Sequence, residues 1–124
     1  MQYIGKLNKK HIGKYFEKII TNEIVLTDER KLHIYEFHYK DYNEIMHNIK
    51  KTILKPNLVI EDIKNKDTLF YVKKLKQNNL NIVIKLATVN SREHPKNSVM
   101  TAWIIRDSNL KKIKERNIII YKYE

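Results

Sequence analysis

The chain of 124 residues contains no cysteine, only two glycines and two prolines, and far fewer acidic than basic residues. Without cysteine it can form neither a disulfide framework nor a thiolate metal site, and thiol catalysis is excluded. The absence of a glycine-rich phosphate loop argues against the usual nucleotide-dependent kinases and dehydrogenases. No apolar run approaches the ~20 residues needed to span a bilayer. Any chemistry must therefore come from ordinary polar side chains.

What the chain does contain is apolar sequence and positive charge. Hydrophobic residues make up 42% and occur in runs of Ile, Val, Leu, Tyr and Phe between polar clusters, which indicates one folded domain spanning residues 1–124. Lys plus Arg total 25 against 14 acidic residues, a formal net charge of +11. Such a surplus favours a polyanionic partner, with nucleic acid first. A coding bias toward Lys, Ile, Asn and Tyr is the alternative source of the charge.

Helices are predicted in the first half of the chain. The stretch "TDERKLHIYEFH", residues 27–38, begins with Thr27 in an N-cap position, followed by acidic residues that complement the helix dipole. A second helix is predicted at "DYNEIMHNIKKTIL", where isoleucines recur every four residues and Pro56 marks the end. The opening "QYIGKLNKKHIGKYF" is ambiguous because Gly5 and Gly13 argue against a long helix.

Strands are predicted mainly in the second half. After a short run "EIVLT", the β-rich segments are "LVIEDI", "TLFYVKKL", "LNIVIKLATV" and "SVMTAWIIR", followed by a helix "SNLKKIKER" and a last strand "NIIIYKY". We therefore predict an α+β fold in which N-terminal helices pack on one face of a mostly antiparallel, twisted β-sheet of about four to five strands.

Strand alternation predicts which side chains share a face. Lys85 stands among apolar residues on its face of the strand, and Thr101 and Trp103 point the same way. Strict alternation places Ser98 on the opposite face from Thr101. On the first helix, Arg30 and His33 share a side, whereas His38 is less well placed to join them. Taken singly, each of these residues has an ordinary explanation as a surface or packing residue.

Several chemistries are disfavoured by spacing. Asp62 and Lys73 would suit a metal-dependent nuclease only with a Glu two residues before the lysine, where Tyr71 stands. The histidines at positions 11, 33, 38, 47 and 94 include no i, i+4 pair for zinc. We therefore expect no metal and no other cofactor. Metal-free acid/base chemistry remains, which suits RNA cleavage because the substrate's own 2′-OH supplies the nucleophile.

The segments "YIGKLNK", "IVLTDERKLHI", "IVIKLA", "HPKNSVMTAW" and "IIIYK" follow one another over nearly the whole chain. Their order, with the patterns "DERxxHIxxxH" and "KNSxxTAW", resembles the phage- and mobile-element-associated nucleases of the barnase, EndoU, colicin and RelE-like superfamily. The resemblance implies a compact helix-plus-antiparallel-sheet fold and a metal-independent ribonuclease, commonly deployed as a toxin. It also implies a domain that could belong to a longer, prophage- or mobile-element-encoded polypeptide acting in the cytoplasm, its own or that of a target cell.

Site residues carried over from this resemblance fall into two groups. His33 would be the principal acid or base, while Arg30 and Lys85 bind the scissile phosphate and Thr101 donates a hydrogen bond. The residues expected to contact substrate are Asn97, Ser98, Trp103 and His38. Thr101 stands where the tRNA-cleaving colicin branch has Ser, and Phe37 precedes His38 where relatives often show Arg.

The expected partners are RNA, with transfer RNA as one candidate, and an acidic immunity or antitoxin protein; no membrane and no small-molecule cofactor are expected. A different class of function also fits the composition: a non-catalytic nucleic-acid-binding or protein-interaction module that uses the positive charge and the aromatic residues alone.

Overall fold

A computed structural model describes residues 1–89 and 96–123. Within these ranges the chain forms seven β-strands and four α-helices. In chain order they are β1 Gln2–Lys6, α1 Lys9–Ile12, β2 Glu23–Leu26, α2 Asp28–Phe37, α3 Tyr42–Leu54, β3 Leu58–Glu61, β4 Thr68–Lys74, β5 Asn79–Lys85, β6 Asn97–Ile105, α4 Asp107–Arg116 and β7 Ile118–Lys122.

The two predicted N-terminal helices are confirmed together with their boundaries. Thr27 caps α2, because its side-chain oxygen accepts a hydrogen bond of 3.2 Å from the backbone N–H of Arg30. Helix α3 buries one stripe formed by Ile45, Ile49 and Ile53 and ends just before Pro56. At 13 residues α3 is the longest described helix, and none of the described helices is long and apolar enough to cross a membrane.

The strands form one sheet in the order β1-β2-β6-β5-β4-β3-β7. All neighbours are antiparallel except β2 and β6, which run parallel. The described sheet thus has more strands than the predicted four to five, and one of the additional strands, β1, lies in the ambiguous opening segment. Gly5 interrupts the register of β1 against β2, and a Cβ at this position would lie 3.0 Å from a side-chain carbon of Ile53. The glycine that argued against a helix therefore marks a bulge at close approach to α3.

Helices cover the two faces of the sheet unequally. Helices α1 and α3 pack on the face that we call the core face, which carries Leu69, Tyr71 and Ile82. Of the two helices predicted from the sequence, α3 packs on this face, and α2 contributes Ile34 to the same core. Helix α4 packs its Leu110 against Val72 on the opposite face, which we call the outer face. The half of the outer face near β5 and β6 that α4 leaves uncovered is where the sequence placed its candidate site.

Two tyrosines test how this core is stabilised. The hydroxyl of Tyr71 is buried without a partner among residues 1–89 and 96–123, whereas that of Tyr15 donates to the Glu61 carboxylate. We expect Tyr71→Phe to leave the free energy of unfolding unchanged or to raise it, and Tyr15→Phe to lower it by about 1–2 kcal/mol, because only the second substitution removes a hydrogen bond. Urea unfolding at pH 7 measures both, and a clear loss of stability in Tyr71→Phe would contradict the assignment.

The same two tyrosines make the free energy of unfolding depend on pH in the alkaline range. Burial raises the pKa of Tyr71, and burial followed by the hydrogen bond and charge of Glu61 raises the pKa of Tyr15. A raised folded-state pKa means that the stability is present below the ordinary tyrosine value of 10 and is lost as the pH rises above it. The loss should be smaller in either Phe variant.

Candidate active site

Four predicted site residues lie together on the outer face of β5 and β6. Lys85 on β5 is directly opposite Ser98 on β6, and Val83 is opposite Thr101. Trp103 follows two residues later on the same face, opposite Asn81. Ser98, Thr101 and Trp103 therefore form a row along the outer face of β6, and Lys85 stands beside Ser98 on β5.

A β-bulge in β6 creates this row. The register shifts between Val83 and Ile84, so that Ile84 pairs with Val99 and Met100 is the extra residue. Val99 is consequently buried on the core face. The prediction from strict alternation that Ser98 and Thr101 lie on opposite faces is therefore wrong, because one inserted residue reverses the alternation.

The Lys85 end of the row opens into a groove of about 370 Å³, lined by Asp62, Asn65, Thr68, Val83, Lys85, Lys96, Ser98 and Met100. The ammonium of Lys85 donates to the carbonyl of Lys66 at 2.5 Å, which fixes its position and leaves further N–H donors for a ligand. The Ser98 hydroxyl donates to the Lys96 carbonyl at 3.2 Å, so that its oxygen can still accept. Cationic and hydroxyl groups thus converge at this end.

Helix α2 borders the other end of the row. In the described residues β2 pairs with β6 only at Asn97 and Ser98, and beyond that point α2 packs against β6. The helix is anchored by Ile34, which is fully buried in the core. At its C-terminal end the His38 ring stacks on Trp103 with centroids 6.1 Å apart and planes inclined by 23°. His38, expected to be less well placed than His33 to join Arg30, is the predicted histidine whose ring contacts the row.

His33 and Arg30 lie on the same helix, one and two turns before His38. The His33 ring contacts Phe37 at 4.6 Å between centroids and is half-buried. Burial, and then the charge of His33, lower the pKa of His38, opposed by the weaker influence of Asp41. Arg30 is half-buried in the first turn. The two histidines are therefore electrostatically coupled, and His38 is the one biased toward the neutral form at pH 7.

Polar atoms that have no partner within the described residues lie next to Trp103 on the outer face. The hydroxyl oxygen of Thr101 is buried without a hydrogen bond, and so are both polar atoms of the Asn81 amide. An unsatisfied buried polar group costs about 1–3 kcal/mol. Asn81 was not among the predicted site residues; the signal in the sequence was its position four residues before Lys85, on the same strand face.

Asn97 has a structural position instead of the predicted substrate contact. Its side chain is fully buried, donates to the carbonyls of Thr21 and Glu23 and accepts from the N–H of Ala87, each at 2.8 Å. All its hydrogen-bonding groups are thus engaged within the protein, and the structure does not bring it into the groove.

No group of three or more His, Asp or Glu side chains suitable for a metal ion occurs in residues 1–89 and 96–123. Asp62, the weak linear candidate for a metal ligand, closes the turn after β3 by accepting hydrogen bonds from Lys64 and Asn65. His94 lies outside the described residues.

The fold and this site define a small α+β protein in which a histidine-bearing helix borders a sheet face that carries lysine, hydroxyl and indole groups. The model of a family described as phage-Barnase-EndoU-ColicinE5/D-RelE like nuclease 2 matches residues 3–122. The chain belongs to this nuclease family, which confirms the resemblance seen in the sequence and makes nucleic acid its substrate class. No curated protein and no solved structure matches the chain significantly.

The contact between His38 and Trp103 can be read optically, because Trp103 is the single tryptophan of the chain. A protonated imidazole quenches indole fluorescence, so we expect the emission to fall on acidification with a midpoint below the ordinary histidine value of 6.5. Replacing His33 with Ala should move this midpoint upward, since it removes a charge that lowers the pKa of His38. His47→Ala, on the exposed surface of α3, is the matched control. A transition that persists in His38→Ala would refute the assignment.

Proposed function

We propose that the protein is a metal-independent endoribonuclease that cleaves RNA by attack of a 2′-OH on the adjacent phosphate. The observation that carries the proposal is the placement of Lys85, Ser98, Thr101 and Trp103 on one face, with His38 at the end of α2 stacked on Trp103. This arrangement supplies proton-transfer groups, phosphate ligands and an aromatic surface, which are the parts that such a reaction needs.

The histidines would divide the proton transfers. Neutral His38 accepts the proton of the 2′-OH, whose oxygen then forms a bond to phosphorus. The bond from phosphorus to the 5′-oxygen breaks, and protonated His33 donates its proton to that leaving oxygen. The products are a 2′,3′-cyclic phosphate and a 5′-OH. The lowered pKa of His38 beside the charge of His33 supports this division over the reverse one.

The remaining residues would bind the phosphate and the base. Lys85 and Arg30 neutralise the charge that develops on the phosphate oxygens, and the unpaired Thr101 hydroxyl, assisted by Ser98, donates a hydrogen bond to them. Trp103 would stack on a base, a contact worth ~1–3 kcal/mol in single-stranded recognition.

The biological setting is part of the proposal. The proposed role is that of a toxin, and a formal charge of +11 suits both an RNA target and an acidic immunity or antitoxin protein that covers the open face. A transfer RNA is a candidate target because a structured loop presents unstacked bases to such a face.

The proposal is tested by incubating the purified protein with total cellular RNA in excess EDTA. We expect fragments with 2′,3′-cyclic phosphate ends, and a loss of rate of ~10²–10⁴ in His33→Ala and in His38→Ala. His47→Ala should cleave at the wild-type rate, since its side chain is exposed on α3. Fragment mapping on individual transfer RNAs identifies the target.

Two outcomes would contradict the proposal. Wild-type cleavage in both His33→Ala and His38→Ala would remove the histidines from the mechanism. Intact RNA, bound by wild type and variants with equal affinity and with a steep dependence on salt, would show a binding module in place of an enzyme.

The pH dependence of the cleavage rate supplies an independent check. Because His38 acts as the base and its pKa is lowered, the rate should rise with pH through a value below 6.5. In a His38→Ala variant the acidic limb should disappear from the residual rate. An acidic limb well above pH 6.5 in the wild type would contradict the assigned base.

A further inference from the structure

A second cleft, of about 560 Å³, lies away from the groove. It is lined by Asn8, Lys10, His11, Leu54, Lys55, Pro56, Asn57, Lys73, Tyr121 and Tyr123. Lys73 stands on the core face near the last residue of β4, whereas Thr68, which lines the groove, stands on the outer face where β4 begins. The cleft and the groove are therefore at opposite ends and on opposite faces of the same strand, so that the cleft does not belong to the proposed active site.

A buried histidine borders this cleft. His11 is 4% exposed, and its Nδ1 is buried without a hydrogen-bond partner in the described residues. Its ring meets Tyr121 edge to face, with centroids 4.6 Å apart, and Tyr71 at 6.3 Å. A buried imidazole nitrogen without a hydrogen bond lowers the stability of the folded protein. His11 on α1 nevertheless lies in the wall of an open cleft.

The other lining groups are cationic or aromatic. Lys10, Lys55 and Lys73 supply three ammonium groups, and the Lys73 ammonium is fixed by a 2.7 Å hydrogen bond to the carbonyl of Lys55. None of the described lining residues carries a carboxylate that would neutralise them. Such a concentration of positive charge at one mouth attracts an anion, and phosphate is the anion that ammonium groups commonly bind.

Tyr123 adds a surface for an aromatic ligand. It is 64% exposed, directly follows β7 and lines the cleft together with Tyr121. An exposed ring beside ammonium groups is the combination by which proteins hold a nucleotide, with the base stacked on the ring and the phosphate on the cations. The volume lies within the range of small-molecule sites.

We propose that this cleft binds a nucleotide, with its phosphate on Lys10, Lys55 and Lys73 and its base against Tyr123. The nucleotide can be free or a unit of a single-stranded RNA, because both present the same phosphate and base. The site is independent of the proposed cleavage chemistry, which uses the other face of the sheet.

Binding is measured by calorimetry on the full chain with three probes: adenosine 5′-monophosphate, inorganic phosphate and a short oligodeoxynucleotide, which lacks the 2′-OH and cannot be cleaved by the proposed mechanism. We expect the mononucleotide to bind more tightly than inorganic phosphate. Affinity should fall by about tenfold or more in Tyr123→Ala, in keeping with the loss of a stacking contact, and in the double variant Lys10→Ala with Lys73→Ala.

Matched controls use equally exposed residues elsewhere. Tyr39→Ala replaces a tyrosine that is 63% exposed, and Lys112→Ala replaces an exposed lysine on α4. Both should bind all probes as the wild type does, and all variants should cleave saturating RNA at the wild-type rate. Chemical shifts of the His11 ring on addition of the mononucleotide would locate the ligand directly.

The outcomes separate the sources of the ligand. Binding of the oligonucleotide alone, lost in the cleft variants, assigns the site to a unit of the nucleic-acid chain, and binding of the mononucleotide assigns it to a free nucleotide as well. Equal affinity for inorganic phosphate and the mononucleotide would overturn the nucleotide assignment. Absence of all binding, or binding unaffected by the cleft variants, would overturn the site itself.

Discussion

The buried side chain of Asn97 holds together the three chain segments on which the candidate active site depends. It accepts from the backbone after β5 and donates to the backbone before and within β2, while it starts β6 itself. A fully buried amide must satisfy its donors and acceptor, so these segments can meet in few other ways. Helix α2 begins only one residue after β2 ends. Fixing β2 against β6 therefore also fixes the position of the N-terminus of α2, the helix that carries the histidines.

The short pairing of β2 with β6 and the bulge at Met100 together bring the candidate site residues to one half of the outer face. Where β2 stops, the edge of β6 is covered by a helix, which brings imidazole groups to the sheet. The bulge turns Ser98 toward the side of Thr101 and Lys85. Bulges are frequent next to active sites because they re-aim a side chain without ending the strand. The half of the outer face under α4 carries an apolar cluster in which Leu110 packs against Val72.

Within the described residues, buried polar atoms without a hydrogen-bond partner lower the stability of the fold at two places. Thr101 and Asn81 lie next to Trp103 on the outer face, and His11 lies near Tyr71 at the second cleft. Native domains leave few such groups buried, and those that persist call for an explanation. Their concentration at two places, each bordered by lysines, suits a protein whose ligand is an extended or modular polyanion.

Much of the fold could be predicted from the sequence because its signals are local. The cap at Thr27, the isoleucine stripe of α3 and the β-rich runs from Leu58 onward depend on neighbours a few residues apart, and the structure confirms them. Strand β1 was missed because its Gly5 resembles a turn signal until Ile53 is seen next to it. The number of strands follows from edge pairings between distant segments, which no local pattern encodes.

By itself the sequence determined the chemical inventory and its family: no cysteine, a large positive charge, two histidines on one helix, and motifs shared with a nuclease family that matches residues 3–122. Only the tertiary structure decided which of these residues meet. The bulge moved Ser98 to the face of Thr101, the end of α2 brought His38 onto Trp103, and burial removed Asn97 from the groove. The physical reason is that alternation and helical periodicity assign a residue to a face, whereas contacts across the sheet depend on register and on helix placement, which long-range packing sets.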